Sequence, residues 1–179
     1  MPRKPKVVII GAGIGGLTAA ASLLRFGIDV EVYEQASQLG EVGAGLQIGP
    51  NAVRVIRALG LEERLLQTAS EPTNMVSLNW NDASLRFREP LQSIAEQEYG
   101  ARYLTAHRAD LHQLLLSRVP ASSIHLNAAC VDASSDESGA TVSFADGRRI
   151  ECDVLVGADG IHSAVRGKLF GDKPARFTH

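Results

Sequence analysis

The chain has 179 residues, 45% hydrophobic and 21% charged, with 18 basic against 20 acidic side chains and a formal net charge of −2. A chain of this length buries roughly 70% of its unfolded surface, enough for one domain or a domain plus part of another. The near-neutral balance argues against a dedicated nucleic-acid or membrane-surface binder, and the apolar content argues against disorder. No apolar run reaches the length of about 18 residues that spans a bilayer. Arg3, Lys4 and Lys6 imitate the start of a signal peptide, but the apolar run Val7 to Ile10 is too short and ends in glycines. Cys130 and Cys152 are the only cysteines and have neither metal-ligand nor CxxC spacing. A reduced, cytoplasmic chain without a metal site is expected.

Lys6 to Ile10 is a short β-branched run, read as a buried parallel strand. Residues 13–26 have helical spacing, with Ile14, Leu17, Ala20, Ala21 and Leu24 on one face and Gly27 as the stop. Ile28 to Tyr33 is the next strand, and the β-α-β order predicts a parallel sheet. Glu41 to Pro50 reads as a glycine-rich loop without a period. Asn51 is placed as the cap of a helix carrying Val55, Ile56 and Leu59, closed by Gly60, with a second short helix over 62–67. Met75 to Trp80 and Ser84 to Arg88 read as two strands around Asn81-Asp82-Ala83. Residues 89–102 are polar and weakly patterned. Thr105 to Arg118 is an amphipathic helix capped by Thr105, with His107 and His112 as polar surface groups. Short strands follow at 124–128 and 130–133, then a polar loop over 134–139. A hairpin, 141–145 and 149–151, turns at Asp146-Gly147 and leaves Arg148 and Arg149 as solvated charges. Asp153 to Val156 is a last apolar strand, and it ends in Gly157-Ala158-Asp159-Gly160.

Gly11-Ala12-Gly13-Ile14-Gly15-Gly16 fits G-x-G-x-x-G between a predicted strand and a predicted helix. Gly11 permits the turn, Gly13 lets backbone approach a pyrophosphate, and Gly16 lets the helix pack closely. The helix amino end then offers N–H groups and partial positive charge to phosphates. Glu34 ends the second strand, where a carboxylate accepts hydrogen bonds from an adenosine ribose and repels a 2′-phosphate. NAD or FAD is therefore expected, not NADP. The bland alternative is a surface glutamate after a strand.

The run Gly43-Ala44-Gly45-Leu46-Gln47-Ile48-Gly49-Pro50-Asn51 spends backbone entropy on glycine, which suits a main chain lying flat on a ligand. A flexible linker is the alternative. Arg108 falls in the first turn of its helix, where a cation opposes the helix dipole. An anionic ligand group, Asp110 or a nearby glutamate would each offset that conflict. Asp159 stands at the carboxyl end of a strand, where ligands of open α/β sheets bind, and it can equally cap the segment Ile161 to Phe170. Arg166 either pairs with Asp159 or is solvated. No G-x-S-x-G, G-x-x-x-x-G-K-[ST], H-E-x-x-H or C-x-x-C occurs, so hydrolase, P-loop and zinc readings lack support.

Together the stretches VVIIGAGIGGLTAAASLLRFGIDVEVYEQ, EVGAGLQIGPNAVRVIRALGL, HRADLHQLL and CDVLVGADGIHSAVR resemble the FAD-dependent aromatic hydroxylases, single-component flavoprotein monooxygenases with the p-hydroxybenzoate hydroxylase fold. Within that family the chain is most similar to the branch with salicylate hydroxylase and 3-hydroxybenzoate 6-hydroxylase. The resemblance implies that Gly11, Ala12, Gly13, Ile14, Gly15, Gly16, Glu34 and Gln35 hold the ADP part of FAD. It implies that the loop with Val42, Gly45 and Gln47 lies beside the isoalloxazine ring. It implies that Arg108 reaches the phosphates and ribityl chain, that Val131 lies near the adenine, and that Asp159 and Gly160 form the DG motif. It further implies reduction by NADH or NADPH, reaction with O₂ to a flavin C4a-hydroperoxide, and hydroxylation of a small phenolic acid.

The expected fold is α/β. It is a Rossmann-like FAD-binding domain with a parallel sheet, a β-hairpin or meander, and the first strands of a substrate-domain sheet. The FAD-binding parts are expected at 1–74 and 103–172, the substrate-sheet start at 75–102, and a crossover to a further domain at 173–179. Members of the family are much longer and carry a later Gly-Asp motif absent from this sequence. No catalytic acid or base is assigned. The partner is a second copy or the remainder of a longer polypeptide. The rival reading is an FAD- or NAD-binding module without oxygenase activity, and a third is an NAD-linked dehydrogenase.

Overall fold

The computed structural model describes residues 3–40 and 43–171. The expected crossover at 173–179 and the candidate Val42 lie outside the described residues. In chain order the elements are β1 (Val7–Ile10), α1 (Ile14–Arg25), β2 (Val30–Tyr33), β3 (Gly45–Ile48), α2 (Pro50–Ala58) and α3 (Glu62–Leu65). Then come β4 (Met75–Leu78), β5 (Leu85–Glu89), α4 (Leu91–Tyr99), β6 (Leu104–His107) and α5 (Arg108–Leu116). After a 3₁₀ turn at Ala121–Ser123 follow β7 (Ile124–His125), β8 (Cys130–Asp136), β9 (Gly139–Phe144), β10 (Arg149–Cys152), β11 (Val154–Gly157) and α6 (Ala164–Phe170). The chain forms two compact units, Met1–Gly40 with Leu115–His179, and Glu41–Leu114.

The first unit is built on a parallel sheet of order β11-β1-β2-β7. All of β1 is buried, as a strand covered on both faces must be. Ile9, Val8, Val32 and Leu17 are fully buried, each contributing about 1.5–3 kcal/mol. Helix α1 ends as its sequence predicts. Gly27 takes φ +71°, the Gly27 N–H donates to the Leu24 carbonyl, and the Ile28 N–H donates to the Leu23 carbonyl. An antiparallel sheet, β10-β9-β8, adds Val142, Phe144 and Ala133 to a core shared with Val8, Ile10 and Tyr33. The 146–147 turn is where it was expected, with Gly147 at φ +88°.

Several boundaries differ from the sequence reading. Gly45–Ile48 is a strand, not a loop, because its backbone pairs antiparallel with β6 from Gly45↔His107 to Ile48↔Leu104. The same pairing takes residues 105–107 out of the expected helix, so Thr105 is a strand residue and not a cap. Asn51 is not a cap either. Gly49 holds that position and Pro50 the first turn, where a missing N–H costs nothing. Val53 and Ile56 are buried, and Val55 is exposed. Residues 91–99 are helical despite their weak pattern, with Ala95 buried and Gly100 in the left-handed region as the stop. The expected loop at 134–139 shrinks to a tight turn, because β8 continues to Asp136. His112 is 2% exposed and not a surface group, since it lies on α5 between the buried Leu111 and Leu114.

In the second unit, β4 and β5 form the expected antiparallel hairpin. Val76, Leu78, Leu85 and Phe87 are exposed on it, and Trp80 beyond β4 is 98% exposed. Arg57 bonds both carboxylate oxygens of Glu62 and the Gly100 carbonyl, and Arg102 pairs with Glu71. Among the described residues no helix is long and apolar enough to cross a membrane.

The closest backbone approach in the first unit lies at Gly16, where an added Cβ would overlap the Gly11 carbonyl oxygen. Gly16→Val is therefore expected to destabilise the fold by at least about 2 kcal/mol, read as a lower midpoint in urea denaturation.

Candidate functional site

Strand β1 is flanked by β2 on one side and β11 on the other, so the chain order reverses direction across it. Ligands of open α/β sheets bind outside the carboxyl ends of the strands at such a reversal. A cavity of about 270 Å³ lies there, lined by Gly11 and Gly13 after β1, Glu34 and Gln35 after β2, and Asp159 and Gly160 after β11. A larger cavity, about 620 Å³, opens at the amino ends of the same strands, near Lys6 and Asp153. No candidate residue from the glycine fingerprint lines it.

The glycines of 11–16 have separate jobs. Gly11 takes φ +102°, and a Cβ there would overlap the Ala158 carbonyl. Gly16 packs on the Gly11 carbonyl. A Cβ on Gly13 would meet nothing within 4 Å, and neither would one on Gly15. Gly13 therefore leaves room that the fold itself does not use. It is the amino cap of α1 in an extended conformation, with no side-chain hydrogen bond to the helix end and no acidic residue in the first turn. Ile14 begins the helix. The first-turn N–H groups thus carry partial positive charge towards that opening.

Glu34 faces the same opening. Its Oε2 accepts from the Ala12 N–H at 2.8 Å and its Oε1 from the Ala36 N–H at 2.9 Å. Each carboxylate oxygen keeps a further lone-pair direction, so the group is held in place and still able to accept. The neighbouring Tyr33 is a buried member of the core. Its hydroxyl donates to Glu31 at 3.1 Å, and its ring stacks on His125 with centroids 4.6 Å apart. Burial first, then the Glu31 hydrogen bond and charge, push its phenol up to about 12.

Asp159 does what the bland reading asked. Its Oδ1 accepts from the Ser163 hydroxyl at 2.6 Å and its Oδ2 from the Val165 N–H at 3.2 Å, so it anchors the start of α6. Ser163 is the cap proper. Arg166 donates to the Ile161 carbonyl instead of pairing with Asp159. Arg148 bonds Asp146 and lies over the Phe144 ring. Cys130, Tyr33, Ala128 and His162 line the cavity without having been singled out. Only their adjacence to strand ends could have marked them. Burial, and next the Asp159 charge, push the Cys130 thiol up. Val131 is exposed beside a register shift in β8 and does not line the cavity.

The second unit collects the other candidates. Gly45 and Gln47 are exposed on β3. The Arg108 N–H donates to the Ala44 carbonyl at 3.2 Å, and a Cβ on Gly43 would come within 3.0 Å of the Arg108 Cβ. Arg108 is the first residue of α5, so the dipole conflict read from sequence is present. His107 is exposed and accepts from the Ala109 N–H at 3.4 Å. Among the described residues no group of His, Cys, Asp and Glu could hold a metal ion.

A parallel sheet with a glycine turn, an open helix amino end and a strand-end carboxylate defines a dinucleotide-type cofactor domain. The sequence matches the FAD binding domain family over residues 4–172, and the chain belongs to that family. It is 44% identical over 171 residues to a 3-amino-4-hydroxybenzoate 2-monooxygenase of Streptomyces platensis, covering 96% of this chain and 43% of the relative. It is 36% identical over 178 residues to a 6-hydroxynicotinate 3-monooxygenase of Bordetella bronchiseptica, covering 99% and 46%. Among solved structures it matches Klebsiella pneumoniae HpxO complexed with FAD and uric acid, at TM-score 0.83 and 31% identity over 96% of this chain and 43% of that one. The chain thus spans less than half the length of the relatives it matches. The family resemblance and the α/β fold read from the sequence agree with these findings.

The raised Tyr33 phenol carries a pH signature. A group holding its proton more tightly folded than unfolded favours the native state below about pH 10. That contribution is lost as pH climbs towards about 12. Ultraviolet phenolate titration, with Tyr33→Phe as the reference, should show one tyrosine ionising near pH 12. Glu31→Gln should bring that midpoint down.

Proposed function

We propose that the first unit binds the ADP part of FAD, and that the chain is the cofactor-binding portion of a monooxygenase acting on a hydroxylated aromatic acid. The observation that carries this is the pairing of an unfilled space at Gly13 with a Glu34 carboxylate held beside it by Ala12 and Ala36. The residues present fit the group. The space is lined by glycine backbone at a helix amino end, which suits a pyrophosphate. The carboxylate suits ribose hydroxyls and repels a 2′-phosphate.

Ala12, Gly13, Ile14 and Gly15 would receive the phosphates, while Gly11 and Gly16 allow the turn that presents them. Gln35 would flank the ribose, and Val131 would lie towards the adenine. Asp159 and Gly160 would close the far wall, with Asp159 acting through the α6 segment that it anchors. In the second unit, Gly45 and Gln47 on β3 and Arg108 at the head of α5 would serve the flavin end, as would Val42. Arg108 brings a cation, which suits an anionic cofactor. Bound FAD supplies the electron transfer and oxygen activation that no side chain here provides. NADH or NADPH would be the donor. The substrate class follows from the relatives, whose names give a hydroxyl- and carboxylate-bearing ring in each case. Both described cysteines are free thiols, in keeping with a reducing, cytoplasmic setting.

The test is flavin-fluorescence titration of the purified chain with FAD. Glu34→Arg should weaken FAD binding about 100-fold, the loss of two charge-assisted hydrogen bonds; unchanged affinity would remove Glu34 from the site. Gly13→Val should keep the urea midpoint, because its Cβ meets no protein atom, yet abolish FAD retention. A folded Gly13→Val chain with full flavin content would contradict the pyrophosphate assignment.

A further inference from the structure

We propose that Asn127 is a positioning residue for Glu34, setting through its left-handed backbone the placement of the ribose-binding carboxylate. The inference rests on the FAD reading above. Parallel pairing of β2 with β7 runs from Val32↔Ile124 to Tyr33↔His125. Beyond it the two chains stay joined in another way. The Glu34 N–H donates to the His125 carbonyl at 2.9 Å, and the Ala128 N–H donates to the Glu34 carbonyl at 2.8 Å. The Asn127 N–H donates to the Ala36 carbonyl at 3.0 Å. In an extended strand successive N–H groups point to opposite sides. Here the N–H groups of 127 and 128 both reach the 34–36 segment, which an extended residue 127 would not allow. Asn127 has φ +53°, one of two non-glycine residues with positive φ among those described. Asparagine tolerates this conformation, whereas β-branched residues do not.

Both peptide groups of Glu34 are therefore gripped by one short segment. That segment is anchored in turn by the buried Ala128 and by the Ala145 N–H donating to the Ala129 carbonyl at 2.9 Å. From this backbone position the Glu34 side chain meets the Ala12 and Ala36 N–H groups. Asn127 touches no ligand in this assignment and acts through Glu34.

The experiment is calorimetric titration of the chain with ADP and with 2′-deoxy-ADP, which lacks one of the two ribose hydroxyls. The wild type should prefer ADP about tenfold, the value of one charge-assisted hydrogen bond or about 1.4 kcal/mol. Asn127→Val should collapse that preference to near one by weakening ADP alone, and Asn127→Gly should restore it. If the valine variant fails to fold by circular dichroism, Asn127→Thr, β-branched but polar, carries the same expectation. A folded Asn127→Val or Asn127→Thr chain that keeps the tenfold preference, or that weakens both ligands equally, overturns the positioning role. A wild type that does not distinguish the two nucleotides overturns the Glu34 ribose reading, and this inference with it.

Discussion

Everything at the carboxyl end of the parallel sheet depends on main chain meeting main chain with no side chain between. Gly16 lies on the Gly11 carbonyl, and Gly11 lies on the Ala158 carbonyl. The Gly11 N–H donates to Tyr33 and the Ala158 N–H to Ile10, each at 2.8 Å. Three strand ends and a helix amino end are thereby brought into one small volume. A cofactor's phosphates need that proximity, since peptide dipoles act over only the first turn of a helix. The glycines are a steric requirement of the fold before they are a feature of binding. Gly13 and Gly15 stand free of that requirement, and Gly13, at the helix amino end, separates the two roles.

The two carboxylates at this end have divided work. Asp159 spends both oxygens on the α6 segment, so its contribution to the site is architectural. Glu34 accepts one N–H on each oxygen, from Ala12 and Ala36, and so ties the end of β2 to the glycine turn. Equal charge, similar location and one donor on each oxygen still give different work, because Asp159 orders a helix start while Glu34 stands beside the open space at Gly13.

The parallel core and the fingerprint were legible because strong local signals coincide there. A short β-branched run, a glycine cluster, a 3.6-residue period and a glycine stop all agree over 7–27, and tertiary structure had nothing to override. The misses have one physical character. The strands at 45–48 and 104–107 exist because they pair with each other across some sixty residues of chain, and no local pattern announces a partner that distant. Helix 91–99 buries little beyond Ala95, so its apolar period was too thin to see. His112 was misjudged because polarity predicts exposure only until a neighbouring leucine stripe carries the residue inward. At the site, the residues of known chemistry were visible as types. Cys130, Ala128 and Asn127 were not, since their importance lies in backbone placement.

The exposed Trp80 has a spectroscopic consequence. It is the single tryptophan in the sequence and lies just past β4 with almost its whole surface in water. Its indole is solvated in the native state much as it is in an unfolded chain. Intrinsic tryptophan emission will therefore report the hairpin's surroundings and change little when the parallel sheet melts. Any partner that covers the hairpin would shift that emission to the blue while leaving the sheet untouched, so this one residue separates docking from unfolding.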